Sequence, residues 1–223
     1  MIGIHNCVRL SAAPFAPRLH FRLGDRVMDR VRYLLGVPVV IVVPLGMLYW
    51  LIIHTYARWW RRWGPLRTYL AVVPVLVTLG VSLFRVRRHL LGADLGTNWS
   101  LIGIALVLAC PMTWLEFQYW RHLSISIMVG IPELSQQGNS RLLRDGIYGV
   151  VRHPRYLSAG IGLIVNVLIV NHLGLYILVM LVVPPGYWML LLEERELVDR
   201  FGDAYREYQR DVPRLIPRRR KAY

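Results

Sequence analysis

The stretch LSAGIGLIVNVLIVNHLGLYILVMLVVPPGYWMLLL, residues 157–192, decides the fold of this chain. One helix of these 36 residues would be about 54 Å long at ~1.5 Å per residue, far longer than the ~30 Å hydrocarbon core of a bilayer. The tetrapeptide NHLG at 171–174 supplies polar turn residues near the middle. The stretch therefore predicts a transmembrane hairpin of two helices.

Three further apolar segments precede the hairpin, at 34–53, 69–84 and 99–117. Only 18% of the 223 residues are charged, whereas a soluble domain has about 25% charged residues. Long apolar runs with few charges are the composition that a bilayer selects. We therefore expect an all-α integral membrane protein with about five transmembrane helices.

Polar segments flank and separate the apolar runs. Residues 1–33 are a basic N-terminal segment, for which we expect an interfacial or loosely ordered state. Residues 34–120 contain the first three helices, and residues 121–223 contain the hairpin and a C-terminal amphipathic helix. The amphipathic pattern of that last helix rests on Leu197, Phe201, Tyr205 and Tyr208.

The charge is strongly basic, with a formal net charge of +14, and all but one of the basic residues are arginine. The arginines flank apolar runs, so we expect membrane lipid as their partner and no nucleic acid. With five spans, 18 basic residues lie on the side of the C-terminus and nine on the other side. The positive-inside rule then places the C-terminus in the cytoplasm.

Two polar motifs bracket the hairpin and are brought together by its turn. GVVRHPRYLSAG, residues 149–160, precedes the first helix, and Glu193-Glu194 ends the second. The first motif has two interpretations: Pro154 can simply begin a helix beside headgroup-binding arginines, or the motif can form part of a binding site. The paired carboxylates favour a site, since adjacent acids repel each other and gain nothing from lipid.

The two motifs contain the groups that an adenosyl sulfonium cofactor needs. A carboxylate can accept hydrogen bonds from both ribose hydroxyls, and His153 or an arginine can pair with the methionyl carboxylate. Tyr148 and Tyr156 can face the adenine or the sulfonium. Gly146 and Gly149 permit close approach of the backbone. The two cysteines have no metal-ligand spacing, so we expect no metal site.

The order of these motifs resembles that of the isoprenylcysteine carboxyl methyltransferase family. The shared pattern is Gly-x-Tyr, Arg-His-Pro-x-Tyr, a helical hairpin, Glu-Glu, Phe-Gly-x-x-Tyr-x-x-Tyr and Val-Pro, over about residues 130–217. This family is one of the integral-membrane methyltransferases that depend on S-adenosyl-L-methionine, a wider group that includes the phospholipid N-methyltransferases. The resemblance implies a cytoplasmic cofactor site and a lipophilic acceptor, which reaches the site between helices.

Carried over by position, the resemblance implies a set of cofactor-binding residues: Gly146, Tyr148, His153, Pro154, Tyr156, Glu193 and Glu194. Arg152 and Arg214 are the candidate catalytic residues, because an arginine can hold a carboxylate acceptor. An amine or thiol acceptor would instead need a base, for which Glu116 and His122 are candidates.

Two departures from the family pattern leave the acceptor open. Ser158 stands where members often have glycine, and Asp211 stands where the prenylcysteine enzymes tend to have a basic residue before Val-Pro. Two other functions also fit parts of the sequence. One is an NADPH-dependent enzyme like the sterol and steroid reductases, and the other is a non-catalytic membrane scaffold.

Overall fold

The computed structural model describes residues 23–121 and 142–217, and these residues form helices and loops without a β-strand. Their α-helices in chain order are α1 (Leu23–Thr55), α2 (Ala57–Arg85), α3 (Arg87–Leu91), α4 (Trp99–Trp120), α5 (Pro154–Val170), α6 (Leu173–Phe201) and α7 (Asp203–Asp211). A short 3-10 helix, Gly146–Gly149, precedes α5. The all-α class is confirmed. Most of the basic N-terminal segment, residues 1–22, lies outside the described residues.

Four of the described helices are long and apolar enough to cross a membrane: Arg26–Ile53, Arg62–Arg85, Trp99–Trp120 and Leu173–Phe201. They correspond to four of the expected spans. The fifth expected span is α5, which is apolar but has only 17 residues and is therefore about 25 Å long. Many large apolar side chains on these helices are exposed, as in a protein whose outer faces contact lipid.

The predicted hairpin consists of α5 and α6, and its turn lies at Asn171 and His172. Asn171 adopts the left-handed conformation (φ 49°), which asparagine tolerates better than most residues. Its side-chain amide donates to the carbonyl of Gly96 at 2.9 Å and accepts from the Tyr176 hydroxyl at 2.9 Å. The turn is thus tied to the loop between α3 and α4.

A buried arginine joins three parts of the chain at the turn end of the bundle. Arg32 of α1 is fully buried and donates to the carbonyl of Val170 at 3.1 Å and to the Thr97 hydroxyl at 3.2 Å. It also forms ion pairs with Asp29 and Asp94. A buried arginine is stable only when its donors are paired, as they are here. Arg32, expected within the N-terminal segment, is therefore part of the helical bundle.

The C-terminal elements lie at the other end of the bundle. α6 extends beyond the expected hairpin to Phe201, and Gly202 (φ 59°) then breaks the helix before α7. The four apolar residues of the predicted amphipathic pattern fall in one cluster with Leu142, Val198 and Val212. The cluster packs α7 against the last turns of α6. It thereby places the segment after α7 beside the start of α5.

Candidate functional site

The two predicted motifs meet at the end of the bundle where α5 begins and α6 carries its acidic pair. Pro154 is the first residue of α5, where its missing N–H leaves no intrahelical bond unmade, and His153 occupies the N-cap position. Both residues are buried. Arg155 forms a cation–π contact with the Trp50 ring at 4.9 Å, so the C-terminal part of α1 lies close to the start of α5.

Glu194 is the centre of a buried polar cluster. Its side chain is only 6% exposed. One oxygen, Oε1, accepts from Arg152 Nε at 3.0 Å and Nη2 at 2.8 Å, and lies 3.2 Å from His153 Nε2. The other, Oε2, accepts from Arg214 Nε at 3.1 Å and Nη2 at 2.6 Å. Because a carboxylate offers about four acceptor positions, this one is saturated by two arginines and a histidine.

Arg152 forms hydrogen bonds within the protein through both its side chain and its backbone. Besides the two bonds to Glu194, its Nη1 donates to the carbonyls of Gln209 and Val212, both at 2.7 Å. Its backbone N–H donates to the Pro213 carbonyl at 2.9 Å, and the neighbouring N–H of His153 donates to the Arg214 carbonyl at 3.1 Å. Four of its five side-chain donors are thus used within the protein. This arrangement favours a positioning role for Arg152.

Glu193 belongs to a different part of the site. It is half-buried and accepts a hydrogen bond from the Tyr156 hydroxyl at 2.6 Å. Burial raises the pKa of the nearby Tyr148 phenol to about 12, with the charge of Glu193 acting in the same direction and that of Arg155 against it. Tyr148 therefore stays protonated at neutral pH. Glu193, Tyr148 and Tyr156 form a second group, here called the tyrosine group.

The 3-10 helix that carries Tyr148 begins and ends at glycine. Gly146 has φ 62°, a conformation that glycine adopts without strain. A Cβ atom at Gly149 would lie 3.1 Å from the Arg144 carbonyl oxygen, so the chain passes closely there. The Tyr148 carbonyl accepts from the Tyr208 hydroxyl at 2.6 Å. Both glycines thus help to hold Tyr148 against the C-terminal helix.

Arg214 is the more accessible of the two candidate catalytic arginines. Its side chain is 33% exposed, whereas that of Arg152 is 7% exposed. Its remaining guanidinium nitrogen donates to the Tyr187 hydroxyl at 2.8 Å. Arg214 therefore reaches the site surface while it holds Glu194.

Glu116 lies near the end of α4, across from the start of α5. It is half-buried, and the Ser158 hydroxyl donates to its Oε1 at 3.4 Å. Ser158 is itself buried, at 1% exposure. Ser158, which departs from the family pattern, thus contacts Glu116, one of the two candidate bases. The other candidate base, His122, lies outside the described residues.

Sequence reasoning missed several residues that build the site. The carbonyls of Gln209, Val212 and Pro213 bind Arg152, and the Tyr187 hydroxyl binds Arg214. Backbone carbonyls carry no sequence signal, so these contacts could not be read from residue types. The spacing of Tyr205 and Tyr208 did mark a buried helix face, although not the bond from Tyr208 to Tyr148.

Two curated proteins are similar to part of the chain. Methanethiol S-methyltransferase 1 of Bradyrhizobium diazoefficiens is 39% identical over 75 residues, which is 33% of this chain and 25% of that protein. Protein-S-isoprenylcysteine O-methyltransferase of Schizosaccharomyces pombe is 35% identical over 77 residues, which is 34% of this chain and 33% of that protein. The similarity therefore spans a quarter and a third of the two relatives.

No family model matches the chain. No solved structure matches it either. The two relatives share the word methyltransferase in their names but differ in the acceptor named, a thiol in one and a prenylated cysteine in the other.

Proposed function

We propose that this protein is an integral-membrane methyltransferase that uses S-adenosyl-L-methionine and methylates a lipophilic acceptor. One observation carries the proposal: the motifs that resemble a methyltransferase family meet at one end of the bundle, where Tyr156 contacts Glu193 at 2.6 Å across 37 positions of sequence. Similarity to two methyltransferases with different acceptors supports the reaction class.

The residues at this end fit the cofactor in their chemistry. Glu193 can accept hydrogen bonds from ribose hydroxyls, and Tyr148 and Tyr156 offer aromatic rings for the adenine or the sulfonium. His153 can supply a donor group for the methionyl carboxylate. Glu194 does not fit as a direct ligand, because both of its oxygens are already bound by arginine. In this proposal Glu194 acts through the residues that it holds.

The protein contributes position and exclusion of water. When bound, the cofactor supplies an electrophilic methyl group on its sulfonium, which an acceptor attacks in line. Alignment of donor and acceptor alone can contribute roughly 7–11 kcal/mol to the barrier reduction. The Glu194 cluster supports such alignment, because Glu194 of α6 binds both Arg152, which lies before α5, and Arg214, which lies after α7. These ion pairs therefore hold the neighbouring Tyr156 and Glu193 in fixed positions.

The acceptor is proposed as a lipid or a lipophilic small molecule with a carboxylate, thiol or amine. Arg214 is our candidate for holding a carboxylate acceptor, because its guanidinium is partly exposed. A thiol or amine acceptor loses a proton, and Glu116 beside Ser158 is our candidate to accept it. The exposed apolar helices allow such a molecule to arrive from the bilayer.

The test is calorimetric titration of the detergent-purified protein with S-adenosylhomocysteine and, separately, with NADPH. Micromolar binding of S-adenosylhomocysteine alone is expected, and transfer of a labelled methyl group to prenylcysteine, thiol and amine acceptors then identifies the substrate. Binding of NADPH alone would instead indicate an NADPH-dependent reductase. Binding of neither would favour a scaffold.

A further inference from the structure

Arg155 is a half-buried cation in the first turn of α5, and no carboxylate in the described part of the chain pairs with it. Its guanidinium lies over the Trp50 ring of α1 at 4.9 Å, a contact that occupies none of its five N–H donors. The other two arginines of the site, Arg152 and Arg214, are both paired with Glu194. A cation that is partly removed from water without a counter-ion favours an anionic ligand.

The position of Arg155 on α5 places it between two groups of the proposed site. Successive helix positions turn by about 100°, so Tyr156 lies about 100° to one side of Arg155 around the axis, and Ser158 about 60° to the other. Tyr156 donates to Glu193 at 2.6 Å, and Ser158 donates to Glu116 at 3.4 Å. Arg155 therefore lies between the tyrosine group, which is proposed to bind the cofactor, and the candidate base.

The charge of Arg155 also acts on the tyrosine group. Burial raises the pKa of the Tyr148 phenol, while the charge of Arg155 lowers it and that of Glu193 raises it. Tyr148 is thus within reach of both charges. A ligand held beside Tyr148 and Glu193 would experience the same cation.

A lipid phosphate is the other anion that an arginine at a membrane surface binds. Arg195 of α6 has the features of such a headgroup contact, because it is exposed and lies over the exposed Trp188 ring at 6.0 Å. Arg155 has the same kind of ring contact but is half-buried against α1. Its surroundings favour the methyl acceptor as the anion, and Arg195 provides a matched control.

The acceptor groups left open by the proposed function differ in charge. A carboxylate or a thiolate attacks as an anion, whereas an amine attacks as a neutral group and is an ammonium ion in water at neutral pH. In the transfer, an electron pair of the anion forms the bond to the methyl carbon. The bond from that carbon to the sulfonium sulfur breaks, and its electron pair stays on sulfur. A thiol first loses its proton, which Glu116 can accept.

Resting on the proposed function, we propose that Arg155 is an acceptor-binding residue that selects a negatively charged acceptor, a carboxylate or a thiolate, over an amine. Its guanidinium attracts the anion and repels an ammonium ion at the same place. Arg155 thereby becomes a second candidate for holding the acceptor. It differs from Arg214, whose charge is shared with Glu194.

The test measures binding of two probes that share one alkyl chain and differ in charge, dodecanoate and dodecylamine. The full-length, detergent-purified chain is saturated with S-adenosylhomocysteine and titrated calorimetrically with each probe. The wild type should bind dodecanoate at least tenfold more tightly than dodecylamine, and Arg155→Gln should raise Kd for dodecanoate about tenfold. Arg155→Lys keeps the charge and should retain the preference. Arg195→Gln should leave Kd unchanged.

Each of the other outcomes has a definite meaning. Equal Kd of the wild type for the two probes would overturn the proposal, as would unaltered binding of dodecanoate by Arg155→Gln. Dependence of dodecanoate binding on Arg195 would also overturn it, because the anion would then bind at the exposed surface of α6. If Arg155→Gln does not fold, the preference of the wild type and of Arg155→Lys decides the matter. Absence of S-adenosylhomocysteine binding by the wild type would instead contradict the proposed function itself.

Discussion

Glu193 and Glu194 are adjacent in sequence, but their carboxylates bind separate partners. Glu193 accepts from the Tyr156 hydroxyl, whereas Glu194 accepts from Arg152 and Arg214. Neighbouring positions on an α-helix point about 100° apart, at 3.6 residues per turn, so one helix serves both the tyrosine group and the arginines. The pair therefore divides into a residue that faces the proposed ligand and a residue that holds the site together.

Glu194→Gln should strongly destabilise the protein. The amide has one acceptor oxygen and no negative charge, so the buried guanidinium of Arg152 is left without its counter-ion. Loss of one partner from a buried ion pair costs about 3–5 kcal/mol. Thermal unfolding in detergent measures the effect, with Glu207→Gln as a surface control whose side chain is 59% exposed. Equal Tm for the two variants would contradict a structural role for Glu194.

Glu193→Gln should leave stability nearly unchanged and weaken the binding of S-adenosylhomocysteine by about tenfold or more. The amide oxygen can still accept from Tyr156, but it lacks the charge that strengthens a bond from a ribose hydroxyl. Calorimetric titration of this variant beside Glu207→Gln checks the prediction. Unaltered affinity would remove Glu193 from the ligand-binding residues.

Arg152→Lys should destabilise the protein by about 2–3 kcal/mol although the charge is kept. A lysine ammonium cannot bind the Glu194 carboxylate through two parallel bonds and also reach two carbonyls. The unfolding midpoint in urea measures the change. Arg206→Lys is the matched control, because the Arg206 side chain is 61% exposed and pairs only with the exposed Asp203 among the contacts described. A midpoint equal to that of the control would show that the four bonds contribute little.

Two glycines of the hairpin should respond in opposite ways to alanine. At Gly160 of α5 a Cβ atom meets nothing within 4 Å, so Gly160→Ala should raise stability by up to about 1 kcal/mol through helix propensity. At Gly174 of α6 the Cβ atom would overlap the carbonyl of Leu90, so Gly174→Ala should disrupt the contact between α3 and α6. Yield of folded protein and Tm report both effects. Stable, well-folded Gly174→Ala protein would disprove this close packing.

Stability should fall in acid because of Asp94, which lies in the loop between α3 and α4. Burial acts to raise the pKa of this carboxyl, but the Gly96 backbone N–H and the Arg32 guanidinium lower it, and the net pKa is below its usual value of 3.8. A carboxylate with a lowered folded-state pKa stabilises the fold above its unfolded pKa, and this stabilisation is lost as pH falls through the folded pKa. Tm measured from about pH 6 to pH 3 should therefore decrease more in the wild type than in Asp94→Asn. Asp203→Asn, at a 95% exposed side chain, should retain the wild-type slope.

The sequence by itself determined the helical membrane class, the hairpin and the meeting of the two polar motifs at one end of the bundle. The reason is geometric: an apolar run of 36 residues is too long for one crossing, and a hairpin returns its two ends to the same side. The meeting of Tyr156 with Glu193 follows from that return. The prediction that these residues bind the cofactor stays a prediction.

Only the tertiary structure decided what each polar residue holds. The rotation of α6 sets which carboxylate faces the arginines, and the break at Gly202 sets which carbonyls reach Arg152. The burial of Arg32 likewise depends on helices far apart in the chain. Such contacts depend on how helices rotate and pack against one another, and a periodic apolar pattern fixes the buried face of a helix but not the partner of each side chain on it.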